Sequence, residues 1–307
     1  MRTARQTRGH RRWLTPFLLG LVLAVVTVTV PDSTVKTPSM LLVEVERATS
    51  VDVTPDVLWI LAVGSDARPG EDLTRTRGDA LQLVGINTKT GAATAIGIPR
   101  DSYVSIPGHG SDRINAAMYY GGPQLLGETV GDLIGIDPEY VFVTGFKTFQ
   151  RMINAIGGVY VHNPVAFSDS NLKKNGFKKG RIRLGGYTAL AFARSRHDLI
   201  RGDFDRSVNQ QRVLRGIHAK IRQKAGTRGF LERGVLAAMT NMETNVSPTV
   251  LYRIAHLIVT LRARNFTNCV VQGGIGDIGG ASVVLPYTDQ ARSYGDQARD
   301  DATIERC

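Results

Sequence analysis

RGDALQLVGINTKTGAATAIGIPRD, residues 77–101, contains two apolar runs of strand length joined by a tight turn. The runs are residues 80–87 and 92–99, and the turn between them is Thr-Lys-Thr-Gly. A similar run, VLWILAVG at residues 57–64, precedes this stretch, and YVFVTGF at residues 140–146 follows it. We therefore expect four buried strands in this part of the chain.

Helical patterns alternate with these strands. They cover residues 113–120, 124–134, 148–156 and 202–217, and GGVYV at residues 157–161 indicates a glycine stop followed by an edge strand. Alternating strands and helices predict an α/β layered fold. No internal repeat or linker interrupts the chain after the first strand, so one domain is the simpler interpretation.

The N-terminus carries a basic tail and then an uncharged apolar segment. Five arginines precede the first acidic residue, and residues 13–30 contain no charge. As a helix this segment would be about 27 Å long, close to the thickness of the hydrocarbon core of a bilayer. We therefore expect a cytoplasmic tail at residues 1–12, a transmembrane helix at residues 13–30 and a tether at residues 31–55, with a short helix at residues 40–47.

The alternative to an anchor is a cleaved signal peptide. The apolar run is longer than the core of a usual signal peptide, and no Ala-x-Ala cleavage site follows it, which favours the anchor. Both interpretations export the domain that follows. The expected localisation is the cell membrane, as a single-pass protein with its N-terminus in the cytoplasm.

The net charge of +11 does not by itself indicate a nucleic-acid-binding protein. The arginines of the tail supply nearly half of it, and export would place the domain away from DNA. We therefore expect no nucleic-acid partner.

The two cysteines, Cys269 and Cys307, both lie in the part expected to be exported. In an oxidising compartment they could form one disulfide, which would tie the last residue to a buried strand. Two unrelated thiols are the alternative, and no spacing resembles a zinc site.

Two aspartates lie at predicted strand ends. Asp66 follows the first strand in GSDAR, and Asp79 precedes the second in RGD. Loops beyond strand ends bind ligands in α/β folds, and two carboxylates that meet there can share Mg2+ with waters and phosphate oxygens. For Asp66 alone, a solvated turn is the simpler alternative.

Arginines occur near the ends of separate predicted elements. Arg100 follows the third strand, where Pro99 fixes the direction of the chain. Arg113 and Asn115 open a predicted helix, whose backbone N–H groups also favour anions. Arginine is suited to bidentate contact with phosphate, although surface ion pairs would explain Arg100 and Asp101 equally well.

Two further segments contribute candidates. Arg194 and Arg196 are two residues apart, so they would share one side of an extended segment but not of a helix. Asp203, Arg206 and Gln210 have helical spacing and would share one face of a helix, although a salt-bridged, solvated face would have the same spacing. Together, the arginines and carboxylates suit a phosphate or pyrophosphate group.

Other reaction types find little support in the sequence. It contains no GxSxG elbow, no HExxH motif and no P-loop, and its six histidines lack metal-ligand spacing. GGIGDIGG at residues 273–280 lacks the strand–helix context of a dinucleotide site, so we expect a loop there.

The order of the motifs resembles the LytR-CpsA-Psr family. From about residue 56 to residue 224 the chain contains GSDAR, RGDAL, IPRDSYVSIPG, RINAAMYYGG, GGVYV, LGGYTALAFARSR and GDFDRSVNQQRVL. Each motif alone is weak, whereas the ordered set is specific. Arg113 stands where many members have Lys, and Ala80 where many have Thr, and neither difference removes a charge.

The resemblance implies one α/β domain at residues 56–307, with a central mixed sheet flanked by helices, after one N-terminal transmembrane helix. It implies that Asp66 and Asp79 hold Mg2+. The expected catalytic residues are Asp101, Arg100 and Arg206. The expected pyrophosphate-binding residues are Arg77, Arg100, Arg113, Arg194, Arg196, Arg206, Asp203 and Gln210.

The resemblance also implies an activity. The protein would be a Mg2+-dependent phosphotransferase that moves a glycopolymer from a polyprenyl-pyrophosphate carrier to a peptidoglycan hydroxyl and releases polyprenyl phosphate. Its expected partners are the lipid-linked glycan, the peptidoglycan acceptor and the membrane. Two alternatives stay open: a hydrolase of the same lipid-linked pyrophosphate, and a non-catalytic anchor protein that binds wall glycans.

Overall fold

A seven-stranded mixed sheet lies at the centre of the structure, a computed structural model that describes residues 38–45, 56–68, 70–196, 199–261 and 266–307. In chain order its strands are β1 (Met40–Glu44), β2 (Val57–Ser65), β3 (Gly78–Asn87), β4 (Ala93–Ile98), β7 (Tyr140–Gly145), β12 (Glu243–Thr244) and β13 (Phe266–Val270). The order across the sheet is β12-β1-β7-β2-β3-β4-β13. The pairs β1–β7, β2–β3 and β3–β4 are antiparallel, and the other three are parallel.

Four antiparallel hairpins or strand pairs accompany this sheet. They are β5 (Tyr103–Ile106) with β6 (Gly110–Arg113), β8 (Val159–Asn163) with β11 (Gly180–Leu184), β9 (Phe167–Asp169) with β10 (Lys173–Phe177), and β14 (Gly273–Ile278) with β15 (Ala281–Pro286). The helices are α1 (Ala116–Ile134), α2 (Phe146–Ala155), α3 (Gly186–Arg194), α4 (Asp203–Ala225), α5 (Phe230–Asn241), α6 (Pro248–Thr260) and α7 (Thr288–Ala298).

Successive strand residues point to opposite sides of the central sheet, so both faces carry apolar side chains, and helices cover both. On β2, Trp59 and Leu61 are fully buried in the core that includes residues of α1 and α7. Leu58 and Ile60, from the same strand, pack instead beside α6. The predicted α/β fold, with a central mixed sheet flanked by helices, is confirmed.

The four predicted buried strands are β2, β3, β4 and β7, with bounds that differ by no more than two residues from the expected ones. The helical patterns at residues 113–120 and 124–134 belong to one helix, α1, which is interrupted where Gly121 and Gly122 leave helical geometry before Pro123. Proline cannot donate the missing backbone hydrogen bond, which explains the kink at this position.

Two local predictions are wrong. The segment expected to form a short helix within the tether contains β1, whose five residues pair with β7 at the core of the sheet. A short apolar run fits a helix or a strand equally well, and here a distant pairing partner decides. The expected loop at residues 273–280 contains β14, because six of its residues pair with β15 despite the many glycines.

A third correction concerns Arg113, which is the last residue of β6 and does not open a helix. The helix begins at Ala116, with Asn115 as its N-cap residue. Residues 103–113 form a hairpin instead, and Tyr103 lies directly opposite Arg113 in it. Arg113 therefore projects its side chain from the end of a strand and not from the start of a helix.

The predicted cytoplasmic tail at residues 1–12 and the predicted membrane anchor at residues 13–30 lie outside the described residues. Among the helices that are described, none combines the length and the apolar character needed to cross a bilayer.

The C-terminus is joined to the central sheet by a disulfide between Cys307 and Cys269. Cys269 lies in β13 and is almost fully buried, whereas Cys307 is exposed. β13 pairs with β4 along five residues, so the disulfide ties the chain end to the neighbour of the strand that leads into Arg100 and Asp101.

Candidate active site

Antiparallel pairing brings several predicted site residues to one end of the central sheet. Asp66 follows the last residue of β2, Asp79 is the second residue of β3, and Arg100 and Asp101 follow β4. Because β3 runs antiparallel to both β2 and β4, the end of β2, the start of β3 and the end of β4 are neighbours. This sheet end is the floor of the candidate site.

Asp79 is the carboxylate nearest the centre of this floor. It is 9% exposed and forms an ion pair with Arg100. A second arginine, Arg194, has its Nη2 atom 3.9 Å from Asp79 Oδ2. The Arg194 guanidinium also lies over the ring of Phe146, 4.2 Å from its centroid, and this cation–π contact helps to orient it.

Asp101 lies among three guanidinium groups. Its carboxylate oxygens are 3.6 Å from Arg100 Nε, 3.8 Å from Arg113 Nε and 4.0 Å from Arg196 Nη1. Arg113 Nη2 also donates a hydrogen bond to the backbone oxygen of Ser282, at 2.9 Å. Asp101 therefore forms ion pairs with arginines from three separate segments of the chain.

Arg194 and Arg196 do not share one extended segment. Arg194 ends α3, and Arg196 lies beyond the helix, so the condition under which both would share one side of the chain is not met. The helix reaches Arg194 because Ala189, Ala191 and Phe192 are buried in the core and hold its last turn in place. As a result, Arg194 reaches Asp79, whereas Arg196 reaches Asp101.

The first turn of α4 contributes a buried ion pair. Arg206 Nη2 lies 2.5 Å from Asp203 Oδ1, and Arg206 is only 5% exposed. Burial raises the pKa of the Asp203 carboxyl and lowers the pKa of Arg206, although each partner opposes the shift of the other. The electrostatic effects of Asp101, Arg100 and Arg196 on Asp203 show that this pair adjoins the cluster.

Two guanidinium N–H groups of the cluster are buried without a hydrogen-bond partner. They are the Nε atoms of Arg100 and Arg206, within the part of the chain that the structure describes. Both carboxylate oxygens of Asp203 are likewise buried without a hydrogen bond, apart from the ion pair with Arg206. Buried polar groups are normally satisfied, so the unsatisfied cationic donors of this cluster favour a ligand that supplies acceptors.

Gln210 lies one turn beyond Arg206 on α4, and both ends of its amide are engaged. Its Oε1 accepts a hydrogen bond from Gln82 Nε2 at 3.0 Å, and its Nε2 donates to the backbone oxygen of Ala193 at 3.3 Å. Gln210 thus links β3, α3 and α4. Sequence reasoning missed Gln82, whose signal is an amide in the middle of the run ALQLVGI, which is otherwise apolar.

The two predicted metal ligands adjoin each other at the sheet end. Burial and the repulsion of Asp79 raise the pKa of the Asp66 carboxyl. No group of three or more His, Cys, Asp or Glu side chains suited to a metal occurs in the described ranges. Mg2+ commonly takes one or two protein carboxylates and fills its shell with waters and phosphate oxygens, so two mutually repelling carboxylates fit this ion.

Two cavities adjoin the cluster, one on each side of the β14–β15 hairpin. The first, here called the Arg77 cavity, has a volume of about 290 Å3 and is lined by Arg77, Arg113 and residues of the β5–β6 hairpin. The second, the Arg196 cavity, has a volume of about 400 Å3 and is lined by Asp101, Arg196 and Asp203. Backbone pairing of Val284 with Asp101 fixes the hairpin between them.

The structure brings together nine of the predicted site residues in or beside the ion-pair cluster: Asp66, Asp79, Arg100, Asp101, Arg113, Arg194, Arg196, Asp203 and Arg206. Arg77 lies apart, on the exposed wall of the Arg77 cavity, and Gln210 lies behind the cluster.

Comparison with known proteins identifies relatives of the chain. The model of the LytR_cpsA_psr family matches residues 29–298. The polyisoprenyl-teichoic acid–peptidoglycan teichoic acid transferase TagU of Bacillus cereus is 35% identical over 195 residues, which are 63% of this chain and 62% of the relative. The chain thus spans about three fifths of the length of the curated relatives it matches.

Solved structures of the Bacillus subtilis protein TagT, also called YwtF, share the fold. TagT bound to LI-WTA is 26% identical, with a TM-score of 0.65 over 81% of this chain and 92% of that chain. YwtF with bound octaprenyl pyrophosphate lipid is 25% identical, with a TM-score of 0.63 over 85% of this chain and 96% of that chain. The family match covers most of the sequence and the folds agree, so this chain belongs to the LytR-CpsA-Psr family.

Proposed function

We propose that this protein is a Mg2+-dependent phosphotransferase that moves a glycopolymer from a polyprenyl-pyrophosphate carrier to a hydroxyl of peptidoglycan. The observation that carries the proposal is the arginine–aspartate cluster, in which Arg100 and Arg206 keep buried Nε–H donors without partners. The name of the relative TagU and the octaprenyl pyrophosphate bound to YwtF support the same substrate class.

The charge balance of the site suits this donor. The predicted site residues include six arginines and four aspartates, which leave a formal charge of +2. A pyrophosphate diester carries two negative charges, so the arginine excess alone would balance it, and bound Mg2+ would add positive charge for the phosphate that leaves. Phosphoryl transfer depends mainly on such positioning and charge compensation.

Each arginine would have a distinct part in binding. Arg100 and Arg206 would donate their buried Nε–H groups to pyrophosphate oxygens, because neither group forms a hydrogen bond within the described residues and Arg100 Nε has only a 3.6 Å ion-pair contact with Asp101. Arg194 and Arg196 are more exposed and would close over the ligand from the α3 side. The aspartates that pair with these arginines hold the guanidinium groups in place before the ligand arrives, which lowers the cost of ordering them.

The reaction would join the acceptor oxygen to the phosphorus next to the sugar. The bond from that phosphorus to the bridging oxygen would break, and polyprenyl phosphate would leave with the bridging oxygen. Asp101 would accept a hydrogen bond from the attacking hydroxyl and receive its proton, because it lies between the arginine cluster and the Arg196 cavity.

Asp66 and Asp79 would hold Mg2+. The bound ion would offset negative charge on the pyrophosphate oxygens. Asp79 would then act in two ways, as a metal ligand and as the partner that orients Arg100 and Arg194.

The test uses the purified full-length chain with a synthetic polyprenyl-pyrophosphate glycan, a peptidoglycan acceptor and Mg2+, and follows products by mass spectrometry. We expect glycan phosphate joined covalently to the acceptor, and loss of this product in Arg100→Ala and Asp79→Ala. Arg181→Ala is the matched control, because Arg181 is exposed and stacks on Tyr160 away from the site.

Other products would identify the alternatives. Free glycan phosphate in the presence of acceptor would indicate a hydrolase. Tight binding of the donor without any Mg2+-dependent turnover would indicate a non-catalytic glycan-binding protein. Either result would contradict the transferase.

We also propose that residues 13–30 anchor the protein in the cell membrane with the catalytic domain outside. The charge-free apolar segment after five arginines supports this orientation. The test is protease treatment of intact spheroplasts. Digestion of the domain, with a membrane-bound N-terminal fragment left behind, is expected, whereas full protection would contradict the proposed orientation.

A further inference from the structure

One long stretch of the chain is strongly basic. Residues 140–197 contain ten lysines and arginines and a single acidic residue, Asp169. Four of these cations lie in β10 and in the turn that leads to β11, and they are Lys173, Lys174, Lys178 and Lys179. Residues 173–179 are here called the lysine segment. The pyrophosphate site uses none of its four charges.

The charges of the lysine segment are not compensated within the fold. None of its four lysines forms an ion pair with a carboxylate in the described ranges. Lys174, Lys178 and Lys179 are exposed. The Nζ atom of Lys173 lies 5.6 Å from the centroid of the Phe177 ring, a contact that keeps the positive charge. An uncompensated positive surface favours an anionic partner.

The single acidic residue of the stretch is turned away from this surface. Asp169 is 1% exposed, and its carboxylate accepts hydrogen bonds from two backbone N–H groups of its own turn and from the backbone N–H of Arg196. Lys173 lies opposite Asp169 in the β9–β10 pair. Since Arg196 also reaches Asp101, the lysine segment begins close to the arginine cluster.

The arginines of the next strand differ from these lysines because they are engaged within the fold. The Arg181 guanidinium lies over the ring of Tyr160, 4.2 Å from its centroid. Arg183 Nη2 donates a hydrogen bond to the backbone oxygen of Gly157 at 3.0 Å. The free positive charge of this surface is therefore concentrated in the lysine segment.

Exposed aromatic and aliphatic side chains border the lysine segment at both ends. Tyr187 is 60% exposed, and its hydroxyl donates a hydrogen bond to the backbone oxygen of Leu172, the residue before the segment. Val165 is 62% exposed and lies two residues before Phe167, which pairs with Phe177. Lysines beside tyrosine are typical of surfaces at the membrane–water interface, where the ammonium groups meet anionic headgroups.

The chain enters the central sheet at the same end as the arginine cluster. Met40 of β1 pairs with Thr144, and Thr144 pairs on its other side with Gly64, two residues before Asp66. Residues 31–39 separate this entry point from the segment proposed as the membrane anchor. This connection favours a membrane surface over a soluble polyanion as the partner of the lysine segment.

We propose that the lysine segment docks on the anionic headgroups of the membrane surface, with Tyr187 at headgroup level, and so directs the arginine cluster towards the lipid-linked donor. This inference rests on the proposed function, because it takes the donor and the protein to share one membrane. The lysines contact lipid and not the reacting atoms, so they are positioning residues. Docking of this kind needs anionic lipid and weakens with salt.

The experiment places a fluorescent probe on the lysine segment of the full-length chain in vesicles. Cys269 and Cys307 are joined in a disulfide, so a nitrobenzoxadiazole label reacts only with the new thiol of Asn175→Cys. The vesicles contain phosphatidylcholine with or without phosphatidylglycerol, and a nitroxide on a lipid headgroup quenches a docked probe. We expect quenching only with phosphatidylglycerol, and its loss in 1 M salt, where the Debye length is about 3 Å.

Charge reversal tests the lysines directly. Lys178→Glu/Lys179→Glu should lower the ratio of docked to undocked protein at least about tenfold, the effect of two cations at an anionic surface. If that variant fails to fold, Lys178→Gln/Lys179→Gln should show a smaller loss in the same direction. The matched control is Lys89→Glu/Arg306→Glu, which reverses two exposed cations outside the segment. A probe at Thr88→Cys, in the turn at the opposite end of β3, should not be quenched.

Three results would overturn the inference. They are equal quenching with and without phosphatidylglycerol, quenching that Lys178→Glu/Lys179→Glu leaves unchanged, and a probe that responds to added polyphosphate but not to phosphatidylglycerol. The last would assign the lysines to a polyanionic chain.

Failure of the proposed anchor is detected separately, because alkaline carbonate would then release the protein from the vesicles. The same probe is in that case read after vesicles are added to the released protein. Quenching that requires phosphatidylglycerol would support docking without the anchor, and its absence would overturn the inference.

Discussion

Arg206 Nη2 lies 2.5 Å from Asp203 Oδ1 on the first turn of α4, and the pair is almost excluded from solvent. The same chain segment offers a solvated counterpart, in which Nη2 of Arg201, just before the helix, lies 2.8 Å from Asp205 Oδ1 and more than half of the Arg201 side chain is exposed. The start of α4 therefore has one buried and one exposed arginine–aspartate pair for direct comparison.

We expect Arg206→Ala to lower the free energy of unfolding by about 3–5 kcal/mol, because it leaves a buried carboxylate without its cation. Arg201→Ala should cost less than about 1 kcal/mol, as is usual for exposed pairs. Urea unfolding of both variants checks the difference. Equal losses would show that the Asp203–Arg206 pair contributes no more than a surface pair.

Asp66→Asn should weaken the dependence on Mg2+ more than it disturbs the fold. The substitution removes one carboxylate from the proposed metal pair without breaking a salt bridge, since Asp66 forms none with the described residues. We expect the Mg2+ concentration for half-maximal transfer to rise at least about tenfold. Asp132→Asn, on the exposed surface of α1, is the control and should leave that concentration unchanged.

The stability of the fold should depend on the ionisation of Glu139, far from the cluster at the opposite end of β2. Burial raises the pKa of Glu139 to about 7 from an ordinary value of 4.5, although its carboxylate accepts a hydrogen bond from the backbone N–H of Trp59. The folded state therefore holds this proton more tightly than the unfolded state. The resulting stability is complete below about pH 4.5 and is lost as the pH rises through about 7.

Glu139→Gln should consequently raise the free energy of unfolding at pH 8 by about 1 kcal/mol, a figure reduced to allow for the partial exposure of the side chain. At pH 4.5 the substitution should have little effect. Denaturant unfolding at both pH values measures this, with the exposed Glu305→Gln as control. A stabilisation that is the same at both pH values would contradict ionisation as its cause.

Reduction of the Cys269–Cys307 disulfide should destabilise the domain. The two cysteines are 38 residues apart in sequence, and closing a loop of this length in the unfolded chain accounts for about 4 kcal/mol by the chain-entropy estimate. We expect dithiothreitol to lower the melting temperature by roughly 10 °C. The double variant Cys269→Ala/Cys307→Ala should melt at the lower temperature with or without reductant, and any response of that variant would point to another cause.

The central strands could be predicted from the sequence because each is a continuous apolar run between turn residues. β1 could not, since its few apolar residues acquire strand structure only by pairing with β7, about 100 residues later in the chain. β14 was missed for the opposite reason. Its glycines suggest a loop, yet six successive residues pair with the backbone of β15. Backbone pairing needs no side chains, so the glycines do not prevent it.

The types of residue in the candidate site were predictable, whereas their pairings were not. The motifs indicated which arginines converge, but Asp79 pairs with Arg194 only because α3 continues through that residue. Asn115 was noted at a helix start and not as a buried residue that lines a cavity, because burial is a property of the folded chain.

The pairing of β1 with β12 has a consequence for the time course of folding. The backbone N–H of Glu44 donates to Asn245 Oδ1 across 201 residues of sequence, and β13 joins β4 over a comparable separation. Contacts between such distant segments slow the search for the native state. A nascent chain would hold the arginines of the cluster long before it holds the strands that close the sheet around them. Until the last forty residues leave the ribosome, the chain would expose unpaired strand edges. Such edges favour binding by chaperones during synthesis.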